Sequence, residues 1–218
     1  MTGSVDPFHL QVARTALSVA DRYGFALGGG LALIVHEIVD RPTEDVDVFG
    51  EDGSSVVAAT AAVTAALRDL GIRVERIEMS SDIVDGLDYL MAELVAYRPE
   101  PDGGAVRLSL GHLARTRKPV LLEIGPVMAV EDLIAWKVAA LVNRAEVRDF
   151  IDVAAFLATH DSRELLKLAA AVDPALFGED VAAAGRRLDR TPGRAFAPYG
   201  LDAGQVARLR ERFTDWPR

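Results

Sequence analysis

The amino-acid sequence predicts an α/β part over residues 1–127 followed by a helical part over residues 128–218. Three observations carry that prediction. Up to about Val127, short apolar segments of strand length alternate with stretches of helical periodicity. From Val130 onward, apolar residues recur at helical spacing only. The 218 residues are 50% hydrophobic and 26% charged, which excludes a disordered or collagen-like chain. A chain of this length buries roughly 70% of its unfolded surface, enough for a core and a cleft.

The elements follow in order. Phe8 to Tyr23 reads as an amphipathic helix through Val12, Ala16, Val19 and Tyr23, closed by Gly24. Phe25 to Leu27 is a short buried strand. Gly28-Gly29-Gly30 follows, and a helix resumes over Leu31 to Val39. Asp45 to Phe49 is a strand ended by Gly50. Ser54 to Leu70 is an Ala-rich helix with Ser at its N-cap and Gly71 at its end. Ile72 to Glu78 is a strand. Tyr89 to Arg98 and Val106 to His112 form a hairpin around Pro99–Gly104, and Val120 to Ile124 is a further strand. The helical part has breaks near Asn143, Asp161, Asp173–Pro174 and Pro192.

Composition narrows the function. There is no Cys, so a disulfide framework, a Cys zinc site and a thiol nucleophile are excluded. Met1 to Leu10 lacks the basic segment and apolar run of a secretion signal, and no apolar stretch approaches the roughly 18 residues of a membrane span. A soluble, cytoplasmic protein that does not engage a membrane is expected. The net charge of −9 argues against indiscriminate nucleic-acid binding. That charge is uneven: Arg186 to Arg218 holds eight Arg and four acids, a local +4, while the preceding residues carry −13. A second basic cluster is His112, Arg115, Arg117 and Lys118. Solvated surface is the simpler reading of both clusters, but an RNA backbone needs only a few well-placed cations.

The acidic strand carries the first chemical signal. In Asp45-Val46-Asp47-Val48-Phe49 alternate side chains share a face, so Val46 and Val48 enter a core while Asp45 and Asp47 point together the other way. Two ionised carboxylates this close repel, and a bound cation relieves the repulsion. Mg²⁺ takes carboxylate oxygens and leaves positions for phosphates. A lone Asp-x-Asp is more often a solvated strand edge. Here Gly28-Gly29-Gly30 sits upstream between a strand and a helix, where glycine lets the backbone approach a ligand and the helix start attracts anions. The alternative is a tight turn, which needs fewer glycines. Arg41 can contact phosphate, and Thr43 can offer a hydroxyl to phosphate or metal. Glu123, in the apolar Val120–Ile124 strand, is a candidate third acid, with an outward-facing Glu as the equal alternative.

The helical part carries the second signal. Ile134, Lys137, Val138 and Leu141 lie at helical spacing, so Lys137 falls on an apolar stripe. The chain uses 21 Arg and three Lys, and a compact ammonium suits a point contact to a triphosphate. Snorkelling is the simpler alternative. Arg148 and Asp152 are four apart and share a helix face. Asp152 can accept a proton from an attacking hydroxyl or orient Lys137; a surface ion pair between Arg148 and Asp152 is the plain alternative.

Gly28-Gly29-Gly30-Leu31-Ala32-Leu33 followed by Arg41-x-Thr43-x-Asp45-Val46-Asp47-Val48-Phe49 resembles the N-terminal signature of the nucleotidyltransferase superfamily. Lys137, then Arg144-x-x-x-Arg148-Asp149-x-x-Asp152, resembles the C-terminal motif of the AbiEii/AbiGii-type nucleotidyltransferase toxins, including the MenT-type toxins. The resemblance spans about Phe25 to Ala155. It implies an α+β, polymerase-beta-like nucleotidyltransferase fold, a mixed sheet flanked by helices, with a helical C-terminal domain. It implies Mg²⁺- or Mn²⁺-dependent transfer of nucleotide from an NTP to an RNA acceptor such as the tRNA 3′ end, and a cognate antitoxin as partner. Thr43, Asp45, Lys137 and Asp152 match the active-site set, and Asp47 the second metal-binding acid. Gly28, Gly29, Gly30, Arg41, Lys137 and Arg148 are the nucleotide-binding candidates; Asp45, Asp47 and Glu123 are the metal candidates. The glycine run departs from the pattern in lacking Ser after Gly-Gly. Two other functions fit parts of the pattern: a small-molecule nucleotidyltransferase of the aminoglycoside or lincosamide type, and a non-catalytic nucleotide-binding relative.

Overall fold

The structure, a computed structural model, describes residues 5–77, 91–99, 103–176 and 178–218. Its contacts divide the chain into two compact units: residues 1–32 with 43–129, and residues 33–42 with 130–218.

Among the described residues, the first unit is a seven-stranded mixed sheet with helices. Its strands are β1 (Ala26–Leu27), β2 (Asp45–Gly50), β3 (Arg73–Ile77), β4 (Met91–Tyr97), β5 (Ala105–His112), β6 (Val120–Leu122) and β7 (Gly125–Val127). They lie in the order β3-β4-β5-β2-β1-β7-β6. Strand β2 is therefore interior, parallel to β5 and antiparallel to β1. Helix α1 (Pro7–Ala20) starts at Asp6, whose carboxylate accepts the Phe8 amide at 2.8 Å, with Pro7 in the first turn. It packs against α3 (Val56–Asp69) and the sheet. Val46 and Val48 of β2, Leu94 of β4 and Leu108 and Leu110 of β5 are all buried, so one face of the sheet is core. That alternation fixes the register, because a slip of one residue would turn Val46 and Val48 out and bury both acids.

The second unit is helical. Helix α2 (Gly29–Val35) begins in the first unit and ends in the second. It is followed by α4 (Val130–Arg144), α5 (Val147–Phe156), α6 (Ser162–Val172), α7 (Gly178–Arg190) and α8 (Ala203–Arg212). Helix α4 packs against α5, α6 and α7. The C-terminal segment closes this unit. The Phe213 ring meets Phe150 edge-on at 5.9 Å and lies 5.4 Å from Trp216, whose indole N–H donates to Val181 O at 3.0 Å. Among the described residues, no helix is long and apolar enough to cross a membrane.

The fold agrees with the expected mixed sheet and helical C-terminal part, and four details differ. Val120–Ile124 is not one strand. Gly125, at φ 129° beside Leu17, lets the chain reverse after Leu122, so β6 and β7 form a hairpin with Glu123 in its turn. Helix α2 starts at Gly29 and stops at Val35, short of Val39. Glu37 adopts φ 60°, and the Glu37 and Ile38 amides turn back onto Ile34 O and Leu33 O. Asp52, not Ser54, caps the turn before α3, accepting both the amide and hydroxyl of Ser54. Arg115 is not solvated surface. Its side chain is 3% exposed and donates to Gly24 O at 2.8 Å, tying the loop after β5 to the end of α1. Glu78 and Tyr89, the outer ends of two expected strands, lie outside the described residues, as does part of the Pro99–Gly104 loop.

Candidate active site

In the first unit, the acidic strand and the glycine run are built as one piece. Asp45 and Asp47 alternate with buried Val46 and Val48 and are half-buried themselves. The Gly28 amide donates to Asp47 O at 2.8 Å. A Cβ on Gly29 would lie 1.8 Å from Asp47 Oδ2, and Gly29 adopts φ 63°. A Cβ on Gly28 would lie 2.6 Å from the Phe49 ring. Two of the three glycines are thus required by contact with β2 itself. His9 of α1 approaches Glu44 O at 3.0 Å, which steadies the loop carrying half-buried Thr43 into β2.

The neighbouring strand does not supply a third acid. In the parallel pairing with β5, Arg107 lies opposite Asp45 and Ser109 opposite Asp47; Glu93 of β4 lies opposite Ser109 in turn. Arg107, Ser109 and Glu93 were missed in the sequence. The alternation of β5 was readable there, but its register against β2 was not. Glu123 is in the β6–β7 turn, beyond β1 from β2, with its side chain 92% exposed and paired to Arg14 at 2.9 Å. It is corrected from strand residue to turn residue, and it does not join Asp45 and Asp47. Among the described residues, no three His, Asp or Glu side chains gather as a metal-binding cluster. The donor set still fits Mg²⁺. That ion takes one or two carboxylates from a protein and completes its shell with phosphate oxygens and water.

In the second unit, residues far apart in sequence meet in the interior. The Lys137 ammonium lies 2.8 Å from Asp152 Oδ2. Arg41 grips the same carboxylate with both arms, Nε to Oδ1 at 2.7 Å and Nη2 to Oδ2 at 2.8 Å, and donates through Nη1 to Pro42 O at 3.0 Å. Asp152 is fully buried, Arg41 6% exposed and Lys137 9% exposed. Burial alone pushes the Asp152 carboxyl up, but the Lys137 ammonium and the Arg41 guanidinium outweigh it and hold the group below the ordinary carboxylate range. Burial pushes Arg41 down, and its bond to Asp152 more than reverses this, so it stays charged.

This geometry sorts the candidates. Asp152 accepts three charge-assisted bonds, two from Arg41 and one from Lys137. Arg41 spends its fork on Asp152. Arg148 donates to Glu146 at 2.9 Å, on the surface. Buried Asp149 takes Arg144 in a two-armed pair and accepts the Glu146 amide at 3.0 Å, so it fixes the start of α5.

A sequence profile described as "Nucleotidyl transferase AbiEii toxin, Type IV TA system" matches residues 13–214. No curated protein sequence matches the chain. Among solved structures, JHP933 from Helicobacter pylori superposes with a TM-score of 0.61 at 16% identity, over 96% of this chain and 91% of that one. MenT4, a nucleotidyltransferase toxin from Mycobacterium tuberculosis H37Rv, gives 0.59 at 20% identity, over 95% and 82%. At these identities the likeness is one of fold.

Proposed function

The chain belongs to the AbiEii nucleotidyltransferase toxin family, and on that premise we propose that it transfers nucleotide from an NTP to an RNA acceptor, such as the tRNA 3′ end, with Mg²⁺. The observation that carries the reading is the Arg41–Asp152–Lys137 group. One cation satisfies a buried carboxylate. Here two are provided, so the three side chains carry a net +1 in a place where uncompensated charge is costly. An anionic ligand at the Lys137 ammonium relieves that charge, and a triphosphate is such a ligand.

Asp45 and Asp47 would hold Mg²⁺, which when bound neutralises phosphate charge in the transfer. The remaining work falls to the chain's own groups. Lys137 Nζ holds a phosphate oxygen as a point charge, fixed in direction by Asp152. Arg41 keeps Asp152 ionised and in place, acting through it. Gly28 and Gly29 hold Asp47 in its orientation by packing directly on its main chain and carboxylate. Thr43 offers its hydroxyl at the entry to β2. The acceptor hydroxyl attacks the α-phosphate and gives up its proton to solvent, the new P–O bond forms, the bond from the α-phosphorus to the oxygen bridging it to the β-phosphate breaks, and pyrophosphate leaves with that oxygen. Catalysis is positioning and charge neutralisation.

The test is incubation of the purified protein with each labelled NTP, Mg²⁺ and total tRNA. Label on RNA with at least one NTP is the expected result. Absence of label with all four overturns the RNA acceptor. The net charge of −9 favours a cationic small-molecule acceptor as the second reading. Under that reading, expression protects cells from an aminoglycoside; under the first it arrests growth.

A further inference from the structure

We infer that α8 and the grooves on its two flanks hold the phosphate backbone of the RNA acceptor, an inference that rests on the RNA reading above. Helix α8 is a ridge. One flank borders a groove of about 540 Å³ that includes Arg194 and Arg210. The other borders a groove of about 290 Å³ that includes Arg208 and Arg212. The helix body between them is about 10–12 Å across.

The arginines of the C-terminal segment divide by what they do. Arg186 and Arg218 are paired with acids, Glu179 at 2.6 Å and Asp189 at 2.8 Å. Arg210 and Arg212 donate to main-chain carbonyls, Thr191 O and Ala154 O, so their side chains are fixed while their charge is not cancelled. Arg194 and Arg208 are exposed and, among the described residues, have no hydrogen-bond or ion-pair partner. The first groove has no acid in its lining, and the second has Asp40. Positive charge is thus concentrated on both sides of one helix in a chain that is acidic elsewhere.

The chemistry of the partner follows from what the ridge lacks. Val206 and Leu209 are turned inward, and the exposed positions are small (Ala203, Gly204, Ala207) or polar (Gln205, Arg208, Arg212 and one acid, Glu211). A protein interface needs large apolar anchors at its centre. Among the described residues, the exposed large hydrophobic ones, Val57, Leu70, Val120 and Leu121, all belong to the other unit. Guanidinium forks without apolar anchors match phosphate oxygens, and charge on both flanks of a helix matches backbone segments set apart by a folded RNA.

The test measures binding of fluorescein-labelled bulk tRNA to the full chain by anisotropy, between about 50 and 200 mM salt. Arg194→Ala with Arg208→Ala should reduce the slope of log K against log salt by about 1.4–1.8, two phosphate contacts' worth. Arg14→Ala with Arg22→Ala, an equal loss of charge from α1 and the turn that follows it, should leave the slope at the wild-type value. Binding of a fluorescent NTP analogue should be unchanged in both, which also reports intact folding. A wild-type slope in the Arg194/Arg208 variant overturns the inference while leaving the RNA acceptor standing. Salt-dependent capture of polyglutamate in preference to tRNA assigns the ridge to an acidic protein and also overturns it. Failure of the wild-type chain to bind tRNA at any salt removes the RNA reading itself.

Discussion

Two sets of acids in this molecule place the same side chain in opposite surroundings. Asp45 and Asp47 sit half-buried on β2, side by side on one sheet face. Asp152 is fully buried and clamped by three charge-assisted bonds from Arg41 and Lys137. An acid that serves a diffusible cation must keep oxygens available for it. An acid that serves a neighbouring side chain is best saturated. The difference teaches that one motif set can put its acids in unlike settings: Asp45 and Asp47 are half-buried on a strand, while Asp152 is saturated in the interior by Arg41 and Lys137.

Substitutions sharpen that contrast. The largest stability effect belongs to Asp152→Asn, which leaves Arg41 and Lys137 in the interior without their carboxylate. It should cost about 3–5 kcal/mol, lowering the melting temperature by roughly 6–20 °C. Asp152 also predicts a pH dependence. Its folded-state pKa lies below its unfolded value, so its contribution is complete above about pH 4 and disappears as pH falls through the folded value. The stability of Asp152→Asn should therefore fall less steeply on acidification than that of the wild type, as read by denaturant titrations at several pH values. Equal acid limbs would mean that this carboxylate is not held down.

Gly29→Ala comes next. Its methyl group would collide with Asp47 Oδ2 at a backbone angle unfavourable for alanine, so about 1–3 kcal/mol of stability should go, together with nucleotide transfer. A stable Gly29→Ala chain that still transfers nucleotide would break the link between the glycine run and Asp47. Glu123→Gln should do least. It removes an exposed pair with Arg14, within about 0.5 kcal/mol on melting, and transfer should be unaffected.

The sequence revealed what is local. The period-2 alternation of β2 put Asp45 and Asp47 on one face, and the 3.6-residue spacing of α4 put Lys137 among apolar residues. It did not reveal what depends on distant contacts. Arg41 and Asp152 are 111 residues apart, and nothing near Arg41 announces an interior partner. Arg148 was the nearer cation by spacing, yet Glu146, two residues away, takes it. Glu123 was misplaced because the apolar Val120–Ile124 run hid a reversal that depends on Gly125 tolerating φ 129° against Leu17. The glycine run was read toward a ligand, whereas two of its glycines already face β2.

The proposed function needs both Asp45 and Lys137 for nucleotide transfer. Its most direct test is the single-turnover rate of RNA labelling for Asp45→Asn, Lys137→Met and the double variant, with melting temperatures measured alongside. Each single variant should lose about 10²–10³ in rate and melt within about 2 °C of the wild type. Lys137→Met in particular leaves the balanced Arg41–Asp152 pair intact. The double variant should be no slower than the slower single one, as for residues that act as a unit. A Lys137→Met chain that transfers at the wild-type rate, or a double variant slowed by the product of the two single losses, would contradict the account.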